Sequence, residues 1–232
     1  PIGVMGGSLL VSSALIFDPS SPDGVHRITA TLYRYDLEGH RLATLGEILD
    51  AERYVRSDEN APVFGSRSPL REESRVATAG DHFFLARQST YQIERYTSEG
   101  KLDRLVRRSF TPRRVNRGHI DAFKRKRLAS PGEPRRSIDA RLLAEVPFPE
   151  TFPPHGQIRV DSEGYIWVQE TDPGGSEESQ WTVFTPTGRL LGTLRLPRNF
   201  EVFEIGADYV LGLARDDNDV ETVELYRLER SK

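Results

Sequence analysis

The chain has 232 residues and a formal net charge of −3, with 37% hydrophobic and 29% charged residues. This length suits one large all-β domain or two small ones, and a mean hydropathy of −0.53 indicates a soluble protein. No apolar run approaches the ~18 residues that a membrane helix needs. The absence of cysteine excludes disulfides, thiolate nucleophiles and zinc–sulfur centres, so any chemistry must come from Asp, Glu, His, Arg, Ser or Tyr.

The first segment reads as four strands. A short apolar strand at residues 2–5 and the turn Gly6-Gly7 precede an apolar strand at residues 9–17. A polar loop at residues 18–27 then leads into a β-hairpin that ends near Ile48.

That hairpin belongs to a unit that occurs three times without a gap. The copies are LYRYDLEGHRLATL at residues 32–45, IERYTSEGKLDRLV at 93–106 and WTVFTPTGRLLGTL at 181–194. Position four is aromatic in each copy, and position eight is Gly39, Gly100 or Gly188. Alternating residues, a polar turn with glycine at a φ > 0 position and a second apolar run predict a hairpin in every copy.

Each copy follows a short strand, a turn and a further strand, and a fourth round at residues 201–226 stops after three strands. The equivalent aromatics Phe184 and Tyr226 lie 42 residues apart. Tandem four-stranded units of this length are typical of β-propellers. We therefore predict an all-β fold, a single β-propeller domain with blades at about 1–48, 75–110, 156–197 and 200–230, and a loop insertion at 49–74.

Residues 111–155 interrupt the β pattern with a helical and proline-rich insertion. Asn116 is predicted to cap one helix and Ser137 a second, and the prolines of PFPETFPP at 147–154 require an extended strap. Residues 104–141 hold thirteen Lys and Arg but only three carboxylates. Such a basic patch could bind nucleic acid, but a helix with one apolar face against a propeller would turn its charges to solvent, and we favour this solvated cap.

The segments IRVDSEGYIWVQE and WTVFTPTGRLLGTLRLP at residues 158–170 and 181–197 resemble the NHL-like six-bladed β-propeller proteins of bacteria. The last round, from FEIGADYVLGLARDD onward, resembles the C-terminal blade of one such group. The resemblance implies that the four predicted blades belong to an incomplete six-bladed propeller. It also implies an extracytoplasmic location, either periplasmic or secreted.

Binding sites of propellers usually lie on the face that carries the loops between second and third strands and between blades. This face collects the candidate residues for a polar or anionic ligand, although the same charges would be explained by mutual ion pairs or by solvent. The candidate ligand-binding residues are Arg67, Arg87, Tyr91, Glu150, His155, Glu170 and Arg215.

Metal and catalytic motifs are weak. The run 216–221 (DDNDVE) offers alternating oxygen ligands but lacks the glycine and distal glutamate of an EF-hand, so a hairpin turn explains it better than calcium. The five histidines show no HExxH spacing, and no serine lies in a nucleophile elbow. We expect no catalytic residue, metal or cofactor.

The leading hypothesis is a non-catalytic propeller module that binds an unknown small molecule or a protein partner on its loop-rich face. The first alternative is an enzyme resembling propeller lactonases or lyases, which would need carboxylates or histidines and often a divalent metal at the channel mouth. The second is RNA binding, as in some NHL propellers, and it would need a continuous basic face.

Overall fold

The computed structural model describes residues 1–13, 21–58, 61–67, 70–129, 135–173, 176–216, 218 and 220–230. Sixteen strands and two helices occupy these ranges. The first sheet contains β1 (Gly3–Met5), β2 (Ser8–Ser12), β3 (Gly24–Tyr35), β4 (Arg41–Asp58) and β5 (Ala61–Arg67). The second contains β6 (Arg75–Ala79), β7 (His82–Arg87), β8 (Gln92–Thr97) and β9 (Leu102–Arg107). The third contains β10 (His155–Val160), β11 (Ile166–Glu170), β12 (Glu178–Phe184) and β13 (Leu190–Pro197), and the fourth β14 (Phe200–Ile205), β15 (Tyr209–Arg215) and β16 (Glu221–Arg227).

All four sheets are antiparallel, and the strands of each sheet lie in chain order. The three repeated segments form the hairpins β3–β4, β8–β9 and β12–β13, as the sequence predicted. Their glycines adopt φ values of 91°, 81° and 86°, a region that opposes a side chain. The same turn hydrogen bond closes every copy, joining Asp36 N to His40 O, Thr97 N to Lys101 O and Thr185 N to Arg189 O.

The sheets pack face to face in sequence. The first strands of successive sheets are neighbours, with β1 beside β6, β6 beside β10 and β10 beside β14. One core joins the first two sheets through Leu10, Leu32 and Phe83, and another joins the third and fourth through Trp181 and Val202. Sheets stacked through their faces around their first strands form a four-blade β-propeller arrangement, which confirms the predicted fold class.

The first sheet differs from the sequence prediction. A loop was predicted at residues 49–74, whereas β4 continues to Asp58 and β5 adds a fifth strand at its edge. The predicted polar loop 18–27 is also shorter, because β3 begins at Gly24 and pairs with Val55. The extension is stable because its outer end has its own apolar contacts. Tyr54 packs there against Leu143 and Val146 of the helical insertion.

The insertion contains α1 (Arg117–Ala129) and α2 (Arg135–Glu145). Asn116 caps α1 as predicted, since its side-chain oxygen accepts a hydrogen bond from His119 N at 3.0 Å. The predicted cap at Ser137 is wrong, because α2 already begins at Arg135 and Ser137 lies in its first turn. An ion pair of 3.0 Å between Arg127 and Asp139 joins the two helices. In the described ranges, neither helix has the length and apolar character needed to cross a membrane.

The proline-rich strap follows α2 and lies along the segment that leaves the second blade. Val115 N donates to Glu150 O at 2.8 Å, and Phe152 N donates to Arg113 O at 2.9 Å. These backbone bonds hold the strap above the boundary between the second and third blades. The strap thus forms one wall of the cleft described next.

Candidate functional site

A cleft of about 420 Å³ opens on the loop-rich face where the strap, the segment after β9 and the end of β11 meet. The first two belong to the connection between the second and third blades, and the third is where β11 leads into the loop before β12. The lining residues that matter most chemically are Arg108, Phe110, Arg113, Phe152, Glu170 and Thr171. The cleft therefore combines two guanidinium groups, one carboxylate and two aromatic walls.

Glu170 is the centre of a polar network beside this cleft. Its Oε1 accepts hydrogen bonds from the Tyr91 hydroxyl at 2.8 Å and from Arg108 Nη1 at 2.6 Å, and also from the Thr182 hydroxyl. Arg108 Nη1 donates to Thr182 Oγ1 at 3.0 Å as well. Tyr91 and Arg108 belong to the second blade, whereas Glu170 and Thr182 belong to the third, so the network joins the two blades.

The protonation states in the network follow from burial and charge. Burial raises the pKa of Tyr91, and the Glu170 carboxylate raises it further, so the phenol stays protonated and donates a hydrogen bond to Glu170. Burial opposes the charge of Arg108, but its interactions with Glu170 and Tyr91 together outweigh this effect, so the pKa of Arg108 is raised. The Arg108 guanidinium also lies 5.1 Å from the centre of the Tyr91 ring. It is therefore a fixed cation at the wall of the cleft.

His155 lies behind the network and is fully buried. Its Nε2 is 3.2 Å from Arg87 O and its Nδ1 is 3.3 Å from Gly156 O, while its ring meets the edge of Tyr91 at 5.3 Å. Burial lowers the pKa of His155, so the imidazole is neutral at pH 7. The side chain pins the start of β10 to the second blade and does not line the cleft.

The structure thus brings together three of the seven predicted residues, namely Tyr91, His155 and Glu170. Arg87 contacts this group only through its carbonyl oxygen, which faces His155, while its Nε donates to the buried Glu94 Oε1 at 2.9 Å. Arg215 pairs with Glu221 at 2.9 Å in the fourth blade.

Two further predicted residues lie on extended segments. Glu150 is exposed in the strap, and its carbonyl oxygen is the acceptor for Val115. Arg67 ends β5 and its backbone pairs with Arg53, but its side chain lies outside the described part of the structure. Leu70 and Arg71 are the residues of the insert at 64–71 whose side chains are described, and neither lines the cleft.

Sequence reasoning missed Arg108, Arg113 and Thr182. Arg108 and Arg113 were counted with the basic insertion, although both lie ahead of α1 in the connection between two blades. That position was the available signal, because connections between blades end on the loop-rich face. Thr182 stands between aromatic and apolar residues on the third strand of a blade, and nothing in its local sequence marks it.

The described residues of the acidic run at 216–221 form a turn. Asp216 Oδ1 accepts hydrogen bonds from Asn218 N at 2.8 Å and Val220 N at 2.9 Å. Asp217 and Asp219 lie outside the described residues. Across the described ranges, no three His, Asp or Glu side chains converge as a metal site would require.

No protein-family model matches the sequence. Comparison with curated proteins gives no significant match either. Among solved structures, the chain is similar to one described as a crystal structure of the eukaryotic initiation factor, with a TM-score of 0.34 and 8% sequence identity. The similarity covers 97% of this chain and 53% of that one, so the chain spans about half the length of its structural neighbour. A similarity at this level carries no functional argument, and the fold and the cleft geometry remain the basis for function.

Proposed function

We propose that this chain is a non-catalytic β-propeller module that binds a small molecule in the cleft beneath the strap. The observation that carries the proposal is the fixed Arg108 guanidinium, held by Glu170 at 2.6 Å at the wall of a cleft of about 420 Å³. Cavities of this size that combine apolar walls with a few oriented polar groups are the usual form of ligand sites.

The second cation of the cleft favours an anionic group on the ligand. Arg113 is exposed, and its described hydrogen bond is a long one of 3.5 Å from Nη1 to Thr171 O. Arg108, by contrast, is already neutralised by a carboxylate. A carboxylate on the ligand would therefore meet Arg113, while Phe110 and Phe152 would contact an apolar or aromatic part.

The wider setting of the module is also part of this proposal. The resemblance to six-bladed bacterial propellers supports a ring of six blades and an extracytoplasmic location. The outer face of the fourth blade also favours additional blades, because three apolar side chains are exposed on it. Phe203, Val223 and Leu225 are 50%, 68% and 64% exposed. Sheet faces of this composition are buried at the boundaries between the other blades.

The test uses benzoate as the probe, with benzamide as its uncharged counterpart. We expect saturation-transfer NMR to detect benzoate binding to the intact chain and little binding of benzamide. Arg113→Gln should weaken benzoate binding by roughly 10- to 150-fold, since a charge-assisted hydrogen bond contributes about 1.5–3 kcal/mol. Arg117→Gln, which removes an exposed arginine at the start of α1, should leave it unchanged.

Equal binding to Arg113→Gln and to the unmodified chain would refute the role of the cleft. If saturation-transfer NMR detected neither benzoate nor benzamide, the small-molecule hypothesis would be refuted. A protein partner would then be the remaining occupant of this face. Phe152 tests the apolar wall separately. Phe152→Leu should weaken benzoate and benzamide alike, because it removes ring contact without changing charge.

A further inference from the structure

A second cavity, of about 300 Å³, lies where the first strands of the first three blades approach one another. Its polar lining comes from Ser12, Asp50, Ser74, Arg75, Gln157 and Arg159. Ile2, Val76 and Ile158 provide its apolar part. The cavity is separate from the cleft beneath the strap, and none of its residues belonged to the predicted site.

Arg159 is the unusual residue in this cavity. It sits in β10 and is only partly exposed, yet no carboxylate of the described chain lies within ion-pair distance of its guanidinium. Its Nε donates to Val202 O and its Nη1 to Ile158 O, both at 3.1 Å. Nη2 has no hydrogen-bond partner among the described residues, so the cation is held in place with a donor left over.

Arg75 brings a second guanidinium to the same cavity from the start of β6. One of its terminal nitrogens pairs with Glu73, while its buried Nε has no hydrogen-bond partner in the described structure. Burial lowers the pKa of Arg159, Glu201 offsets part of this effect, and the like charge of Arg75 adds to it. Both guanidinium groups line the same cavity, so their like charges oppose each other there.

This arrangement costs free energy in the empty protein. A partly buried cation without a counter-ion and a buried donor without an acceptor each destabilise the folded state. Both arginines lie on the first strands of their blades, which surround the axis of a propeller. An oxyanion between the two guanidinium groups would offset both terms at once.

We propose that this inner cavity binds a small oxyanion, held between Arg75 and Arg159. The Gln157 amide and the Ser12 and Ser74 hydroxyls supply the remaining donors. The volume fits inorganic phosphate or a short dicarboxylate. Asp50 and Glu73 bias the site against highly charged polyanions, because they place negative charge beside it.

The experiment compares inorganic phosphate and malonate at constant ionic strength, with sodium chloride as the reference salt. Isothermal titration calorimetry should detect binding of at least one of the two anions to the intact chain, and their relative affinities separate phosphate from carboxylate recognition. Arg159→Gln should weaken that binding at least tenfold. Arg189→Gln, which removes an exposed arginine from the third hairpin turn, should have no effect.

NMR of the arginine Nε–Hε groups keeps the test valid even if Arg159→Gln folds poorly. Binding should shift the Arg75 Nε–Hε signal, since that group gains its missing acceptor, and Arg159→Lys should abolish the shift. The proposal is overturned if neither anion binds more tightly than chloride, or if Arg159→Gln binds as the unmodified chain does. Binding that survives Arg159→Gln but fails in Arg113→Gln would assign the anion to the cleft beneath the strap instead.

Discussion

Asp161 should be among the residues on which the stability of this propeller depends most. Its side chain is fully buried at the turn between β10 and β11. Oδ1 accepts hydrogen bonds from Glu163 N at 3.0 Å and Tyr165 N at 2.9 Å. Oδ2 accepts from Trp167 Nε1 at 2.9 Å and from Arg230 Nη2 at 2.8 Å. One carboxylate thus fixes a turn, a core indole and the segment after the last strand.

The structure sets the size of the effect of Asp161→Ala. The substitution leaves the buried Trp167 indole N–H without its acceptor. It also removes the buried carboxylate from Arg230, whose side chain is only 24% exposed. Breaking a buried ion pair by removing one partner costs about 3–5 kcal/mol. At about 2–4 °C per kcal/mol for a chain of this length, the melting temperature should fall by roughly 6–20 °C.

Urea unfolding followed by tryptophan fluorescence measures this loss, because Trp167 is a direct partner of the carboxylate. A double-mutant cycle with Arg230→Ala isolates the ion pair and should give a coupling free energy of at least about 1 kcal/mol. Asp121→Ala, on the exposed side of α1, is the matched control and should change stability by no more than ~0.5 kcal/mol. A loss below about 1 kcal/mol for Asp161→Ala would refute the assigned role of the carboxylate.

Two further predictions concern the blade boundaries. Because burial holds the folded-state pKa of His155 below its ordinary value of 6.5, the unfolded chain binds this proton more readily and folding stability falls as pH decreases below about 6.5. His155→Gln should flatten that part of the pH profile of the melting temperature, and an unchanged slope would contradict the assignment. A Cβ at Gly188 would meet Val106 Cγ2 at 2.8 Å, whereas one at Gly39 would meet no atom within 4 Å, and both glycines have φ near +90°. In thermal unfolding, Gly39→Ala should therefore lower the free energy of unfolding by about 1 kcal/mol. Gly188→Ala should lower it by about 1–3 kcal/mol more, because the added methyl group clashes with Val106. Equal losses would show that the second hairpin does not support the third.

The fold was predictable from sequence because its signals are local and repeated. The glycine of each hairpin is required by a φ value near +90°, and this requirement recurs at a fixed offset from an aromatic strand residue. The stacking of blades then follows from apolar residues on both faces of the strands. The extension of β4 escaped prediction because Tyr54 packs against the helical insertion, about 90 residues further along the chain, a contact that local sequence does not contain.

The candidate sites were harder to predict, since their residues meet across blade boundaries. Glu170 and Tyr91 were selected by their positions at strand ends, and the structure joins them by a hydrogen bond of 2.8 Å. Arg108 was missed because its partner lies 62 residues away on another sheet. Arg159 carried a usable signal, namely a charged residue within a predicted first strand, where the side chain must face either the axis or the next blade.

The boundary between the second and third blades differs in kind from a purely apolar packing of sheets. Tyr91 and Arg108 bond to Glu170 across it, and Gln88 Nε2 donates to His155 O at 2.5 Å. Apolar faces alone tolerate small shifts between sheets, whereas buried hydrogen bonds are satisfied in only one register. A cleft built at such a boundary keeps its shape without a ligand, so little of the binding free energy is spent on ordering its walls.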